Sequence, residues 1–285
     1  MKIIRNIVFI VLVILTLLAI LFKSRINEWA NEAGPTAMIL VIVVGAAGVV
    51  LMFWVGSERD WQKIVGNTLA RLEGDSAQAT FEELKQKWAR GRKFWDTALL
   101  LSVAYAIFGE GGQAEKMARE AWTIAKKEGY IKRRTAPDRI RTEYTVLALY
   151  DAIATQGRFE EAAQGLIKMV PHSEDPEYMG AYIAWYYLLA GNEATARNAL
   201  REFFPTLADS DLELKIAEPM MQLRLYYMAH KLLGVNARRA MAERRDHLAR
   251  LERFARRAAG SPQSVRSIEL YNEMRAVLGM PRLSA

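Results

Sequence analysis

The sequence predicts an all-α protein: an N-terminal transmembrane helical hairpin, then a short α-solenoid, then C-terminal capping helices. Three observations predict it. Two long uncharged apolar runs open the chain. After Ser57 no stretch alternates apolar and polar residues with the period of a half-buried strand; helix-length amphipathic stretches follow one another, cut by Gly, Asn, Asp and Pro. Between residues 95 and 210 a single register of glycine, alanine and apolar residues recurs three times.

The hairpin occupies 1–57. Its first run, Asn6 to Phe22, lies between Arg5 and Lys23; the second extends from Ala33 to Ser57, with its apolar body at Ala37 to Val55. A bilayer core asks for roughly 20 helical residues, and flanking cations that snorkel let a shorter run span it. Backbone groups in lipid must pair internally, so both runs are expected to be helices. Trp29 in the connection and Trp54 and Trp61 at the far end fit interfacial positions. Lys2, Arg5, Arg59, Lys63 and Arg71 outnumber Lys23 and Arg25 in the loop, which places both ends in the cytoplasm. A cleaved signal peptide is the rival reading, but Lys23-Ser24-Arg25 follows the first run with no small-x-small pair. Gly45-Ala46-Ala47-Gly48 permits close helix packing, either within the hairpin or against another membrane protein. Neither run carries an ionisable residue, which argues against an ion path.

Residues 58–94 read as a degenerate helical hairpin broken at Gly74-Asp75, with Ile64, Leu69, Leu72, Phe81, Leu84 and Trp88 as its apolar members. The repeats follow. Gly109, Gly157 and Gly191 anchor them; Ala114, Ala162 and Ala196 stand five residues later, and Leu101, Leu149 and Ile183 eight residues earlier. Tyr105, Ile153 and Tyr187 stand four before, Ala118, Leu166 and Leu200 nine after. The second and third glycines are 34 residues apart; the first and second are 48 apart, one period plus a 14-residue insertion. Apolar residues four apart make one stripe on a first helix, glycine ends that helix in a tight turn, and a small alanine lets the second helix close on the first. Such a pair cannot bury its faces alone and must stack on neighbours. Beyond 211 the pattern loosens into helices at about 212–233, 237–259 and 263–278, read as capping helices.

This register resembles the tetratricopeptide repeat family, helix–turn–helix units of 34 residues. The matching segments are 95–128, 143–176 and 177–210. The family's tryptophan position holds Ala98, Val146 and Gly180, and its terminal proline is displaced to Pro171, Pro176 and Pro205. The resemblance implies that first helices line a concave groove that takes a peptide or helix. Carried over position by position, the groove is lined by Leu99, Val103 and Ile107, then Tyr144, Leu147 and Asp151, then Tyr178, Trp185 and Leu188. The lysine and asparagine cluster with which chaperone-binding relatives clamp a C-terminal carboxylate is missing. An apolar groove suits an amphipathic helix or an extended apolar segment. Two occupants remain open: a partner, or the chain's own C-terminal helices.

Two basic features stand outside the repeats. The insertion holds Lys132, Arg133, Arg134, Arg139 and Arg141 and reads either as a solvated loop or as a contact to headgroups or an acidic partner. The 237–259 helix holds Arg244, Arg245, Arg250, Arg253 and Arg256 among others, with Glu252 and Arg256 placed as an i,i+4 pair. It reads as a capping helix with a solvated face, or as a surface drawn to anionic lipid. A net charge of +7 favours anionic surfaces in general, but no nucleic-acid-binding motif is present.

The chemistry is spare. With no cysteine and only His172, His230 and His247, disulfides, thiolate metal sites and thiol nucleophiles are excluded and histidine metal sites are poorly supplied. No phosphate loop, dinucleotide fingerprint, nucleophile elbow or His-Glu-x-x-His occurs, so no enzyme, cofactor or metal is expected. The layout also resembles bacterial inner-membrane proteins with N-terminal spans and a repeat domain, which implies a membrane-anchored scaffold or adaptor facing the cytoplasm. The alternatives are an accessory subunit of a larger membrane complex, held by its hairpin, and an anionic-lipid-binding module.

Overall fold

The structure, a computed structural model, describes residues 61, 63–91, 93–131, 136–208 and 218–283. The transmembrane hairpin expected at 1–57 lies outside the described residues. The chain divides into two compact units, Met1–Gln62 and Lys63–Ala285, and all the elements named here belong to the second. Among the described residues there is no strand, and no helix is long and apolar enough to cross a membrane.

Helix α1 covers 63–73 and α2 covers Ala77–Ala89, turning at Gly74 and Asp75. Three helical pairs follow: α3 (Trp95–Ile107) with α4 (Gly111–Lys127), α5 (Ala136–Thr155) with α6 (Phe159–Ile167), and α7 (Pro176–Leu189) with α8 (Glu193–Phe203). Gly109, Gly157 and Gly191 close α3, α5 and α7 at φ values of 78°, 82° and 79°, the left-handed region that a Cβ disfavours. Ala114, Ala162 and Ala196 are fully buried on the second helices, so the helices of a pair approach across a methyl group rather than a bulky side chain. Gly180 carries this further: a Cβ there would stand 2.2 Å from Phe203 Cγ, so α8 lies directly on α7 at that point.

The C-terminal part comprises α9 (Pro219–Met228, continued by a π turn over Ala229–Leu233), α10 (Arg238–Ala242), α11 (Arg245–Arg257) and α12 (Pro262–Val277). These helices fold back on the first helices of the array. Tyr271 of α12 stacks on Trp185 of α7, with ring centroids 6.1 Å apart and planes 13° apart. Gln263 bonds Thr155 and Asp151 of α5. Arg257 of α11 donates to the carbonyls of Leu72, Glu73 and Gly74 at 2.8, 2.9 and 2.7 Å, capping the end of α1.

Two boundaries differ from the sequence reading. The helix containing Tyr144 begins at Ala136 rather than 143, because half of the insertion is helical. Asp138 sits in its first turn and pairs with Arg141 at 3.1 Å, and the Arg141 guanidinium lies 4.4 Å from the centroid of Tyr130. The helix expected at 237–259 is two helices broken at Glu243 and Arg244. At the break Arg244 reaches back to Ala240 O (3.0 Å) and Gln222 Oε1 (2.7 Å) and covers the ring of Tyr226.

Candidate functional site

The folding back of α11 and α12 leaves a cleft of about 520 Å³ against α1, α3, α5, α7 and the start of α9. Its apolar part is built from α1, α3 and α11. Val65 and Leu69 face it from one side, Val103 and Ile107 from the array, and Phe254 from the C-terminal part. These positions follow from helical spacing: Leu99, Val103 and Ile107 are successive turns of one stripe on α3.

Its polar part is built from α5, α7, α9 and α12. Tyr178, Tyr182 and Tyr186 form a ladder along α7, with centroids 5.3 and 5.9 Å apart at successive steps. The ladder is tied at both ends. Tyr178 donates to Glu218 at 2.9 Å and Tyr186 donates to Asp151 at 3.1 Å. Gln263 Nε2 adds a second donor to Asp151 at 3.1 Å. Burial, reinforced by the neighbouring carboxylates, pushes the Tyr178, Tyr182 and Tyr186 hydroxyls well above the ordinary tyrosine pKa, so all three stay protonated as donors. Arg224 of α9 lies beside this ladder. Its guanidinium covers the Trp185 ring at 4.7 Å from the centroid and donates to the Tyr271 hydroxyl at 2.9 Å.

Seven of the nine groove residues expected from the sequence line this cleft: Leu99, Val103, Ile107, Tyr144, Leu147, Asp151 and Tyr178. Trp185 and Leu188 do not. Each is only 1% exposed, because α12 occupies the part of the concave face in front of α7. The chain's own C-terminal helices therefore fill one half of the groove and roof the other. Sequence reasoning missed Arg224, Tyr271 and Gln263, which come from elements read as caps. Arg224 carried a signal nonetheless, as the lone charge in the otherwise uncharged run Pro219–Ala229.

The basic positions separate into different roles. Arg133 and Arg134 lie outside the described residues. Arg139 is half exposed and pairs with Glu174. Arg141 is not a surface cation: its side chain is 11% exposed and anchors the start of α5. Arg244 is likewise engaged in joining α10 to α9. Arg245, Arg253 and Arg256 are exposed on α11, and Arg245 has Asp246 at 4.0 Å. Glu252 pairs not with Arg256 but with Arg275 of α12, at 2.7 Å and nearly out of solvent.

Among the described residues no group of three or more His, Asp or Glu side chains is arranged to hold a metal ion. Comparison of the chain with known protein families, with curated proteins and with solved structures finds no match in any of the three.

Proposed function

We propose that the chain is a membrane-anchored, non-catalytic adaptor with tetratricopeptide-like helical pairs, held by the 1–57 hairpin at the cytoplasmic face of a bacterial inner membrane. The hairpin reading rests on the length and flanking charges of the two apolar runs. The observation that carries the adaptor reading is the cleft. The first helices α3 and α5 keep apolar residues facing open space there, at the half of the concave face that α12 leaves uncovered. Tyr144, 44% exposed at its rim, is the side chain most available to an incoming molecule. Anchoring confines adaptor and partner to one surface and raises their effective concentration, so a modest contact suffices.

A photo-crosslinking amino acid at position 144, introduced into the full chain in cells, tests this. A discrete protein adduct at 144 that is lacking at exposed position 116 on α4 is the expected result. Equal adducts at both positions, or none at 144, would refute recruitment at the cleft mouth. A second reading, attraction of the domain to anionic lipid, is favoured by exposed Arg253 and Arg256, which make no ion pair with any described residue. The same chain with both arginines changed to glutamine distinguishes it, since a loss of anionic-vesicle binding with the 144 adduct intact assigns the two activities to different faces.

A further inference from the structure

Two neighbouring buried donors lack acceptors, one on a side chain that lines the polar end of the cleft and one on the ring behind it. Arg224 Nε and Trp185 Nε1 are both out of solvent with no hydrogen-bond partner, and they belong to side chains in direct contact through the guanidinium and the indole ring. Arg224 also makes no ion pair with any described residue; its one hydrogen bond goes to the neutral Tyr271 hydroxyl. A guanidinium withdrawn from water ordinarily has a carboxylate or phosphate beside it. The carboxylates nearby are otherwise engaged: Glu218 accepts from Tyr178, and Asp151 accepts from Tyr186 and Gln263. Neutral donors thus hydrogen-bond both acids, while Arg224 has the Glu218 charge nearby but no ion pair with it. From there the cleft runs on into the apolar surface of Val103, Ile107 and Phe254.

We propose that the cleft binds a single-headed anionic amphiphile, a long-chain carboxylate of the fatty-acid class, with its head at Arg224 and its chain along α3 and α11. At about 520 Å³ the cleft lies within the range of pockets that hold small ligands, and its apolar arm suits an alkyl chain. A monoanion also suits the charges better than a phosphate dianion, because Glu218 and Asp151 repel a second negative charge. The inference rests on the cleft being a binding site and is independent of whether a protein docks at its mouth.

The experiment uses the full chain in its membrane, labelled with a diazirine analogue of palmitate and mapped by peptide mass spectrometry over 95–258. Labels at Val103, Ile107 or Phe254 are expected, displaced by palmitate and about tenfold less well by its methyl ester, the scale set by one charge-assisted hydrogen bond. Arg224→Met should cut labelling about tenfold. Glu218→Gln should leave it equal or raise it, since it removes a repelling charge. Val103→Trp, with Arg224 intact, should abolish labelling by filling the chain's path, which guards against misfolding of the arginine variant. Equal competition by acid and ester, loss on Glu218→Gln, undiminished labelling of Arg224→Met, or stronger displacement by an apolar peptide ending in a carboxylate would overturn the proposal. Failure of the protein adduct at 144 touches only the adaptor reading.

Discussion

Glu252 stands on an arginine-rich helix, and helical spacing offers it Arg256 one turn on. It takes Arg275 instead, across the junction of α11 and α12, with the two side chains 10% and 14% exposed. Burial decides the matter: α11 turns Leu248, Leu251, Glu252 and Ala255 inward, so Glu252 needs a partner that is inside as well. Removing one member of such a pair strands a buried charge. Glu252→Ala is therefore expected to lower unfolding free energy by roughly 3 kcal/mol, read from the urea midpoint, whereas replacing both residues by leucine recovers most of the loss. A single variant indistinguishable from the parent would show that the pair is open to water. Arg141 teaches the same lesson. Sequence offered it as one cation of a basic loop, solvated or facing an anionic surface, but its pairing with Asp138 and its stacking on Tyr130 make it part of the start of α5. Isolated charge counts do not reveal which cations are packed, because a long arginine stem buries itself wherever an aromatic ring and a carboxylate are offered.

At the scale of elements, what the sequence shows most clearly is the turn chemistry. The left-handed glycines at 109, 157 and 191 and the fully buried alanines five residues later are properties of the chain itself, and the all-helical character follows from them. Gly180 was legible only as a departure, an absent tryptophan. The structure gives the reason, since Phe203 occupies the space a side chain at 180 would need. Phe203 contributes its Cβ and Cγ to that contact and cannot rotate clear of it, so the two helices must part. Gly180→Ala is expected to destabilise by about 1–3 kcal/mol despite the better helix propensity of alanine, which returns at most about 1 kcal/mol. Pairing it with Phe203→Leu should restore part of the loss. A Gly180→Ala chain that melts at or above the parent temperature would mean that α7 and α8 separate without cost. Breaks inside helices were not legible. The interruption at Glu243 and Arg244 depends on Gln222 and Tyr226, more than fifteen residues away in sequence, and periodicity within a window sees neither.

For the whole domain, the repeat register located the concave face, and seven of its residues do line the cleft, but nothing local announced that α12 would cover Trp185 and Leu188. That closure is a long-range choice among apolar surfaces, which composition cannot rank. Ionic ties cross the junctions it creates. Glu115 joins the first two pairs through Gln156 and Arg158, with Arg119 of its own helix also bonded to it. Glu273 joins α12 to α9 through Lys231 and Tyr227, and Glu83 joins α2 to α1 through Arg71. All three carboxyls titrate below the ordinary 4.5. For Glu115 and Glu273 burial works the other way and is outweighed, by Gln156 and Arg119 in one case and by Lys231 and Tyr227 in the other. For Glu83 the hydrogen bonds of Lys87 and Arg71 lead. A carboxyl whose folded pKa is depressed contributes stability that is fully present above its unfolded pKa and is lost as pH falls through the folded one. The urea midpoint of the full chain in mild detergent should therefore hold steady above about pH 5 and decline below about pH 4.5. Because each of these carboxyls also ties two elements together, acid should loosen the junctions before the helices, so near-ultraviolet dichroism should fall ahead of far-ultraviolet dichroism. The double variant Glu115→Gln, Glu273→Gln should start from a lower midpoint at neutral pH and decline less on acidification. A double variant with an acid limb as steep as the parent's would place the pH dependence elsewhere than at these junctions.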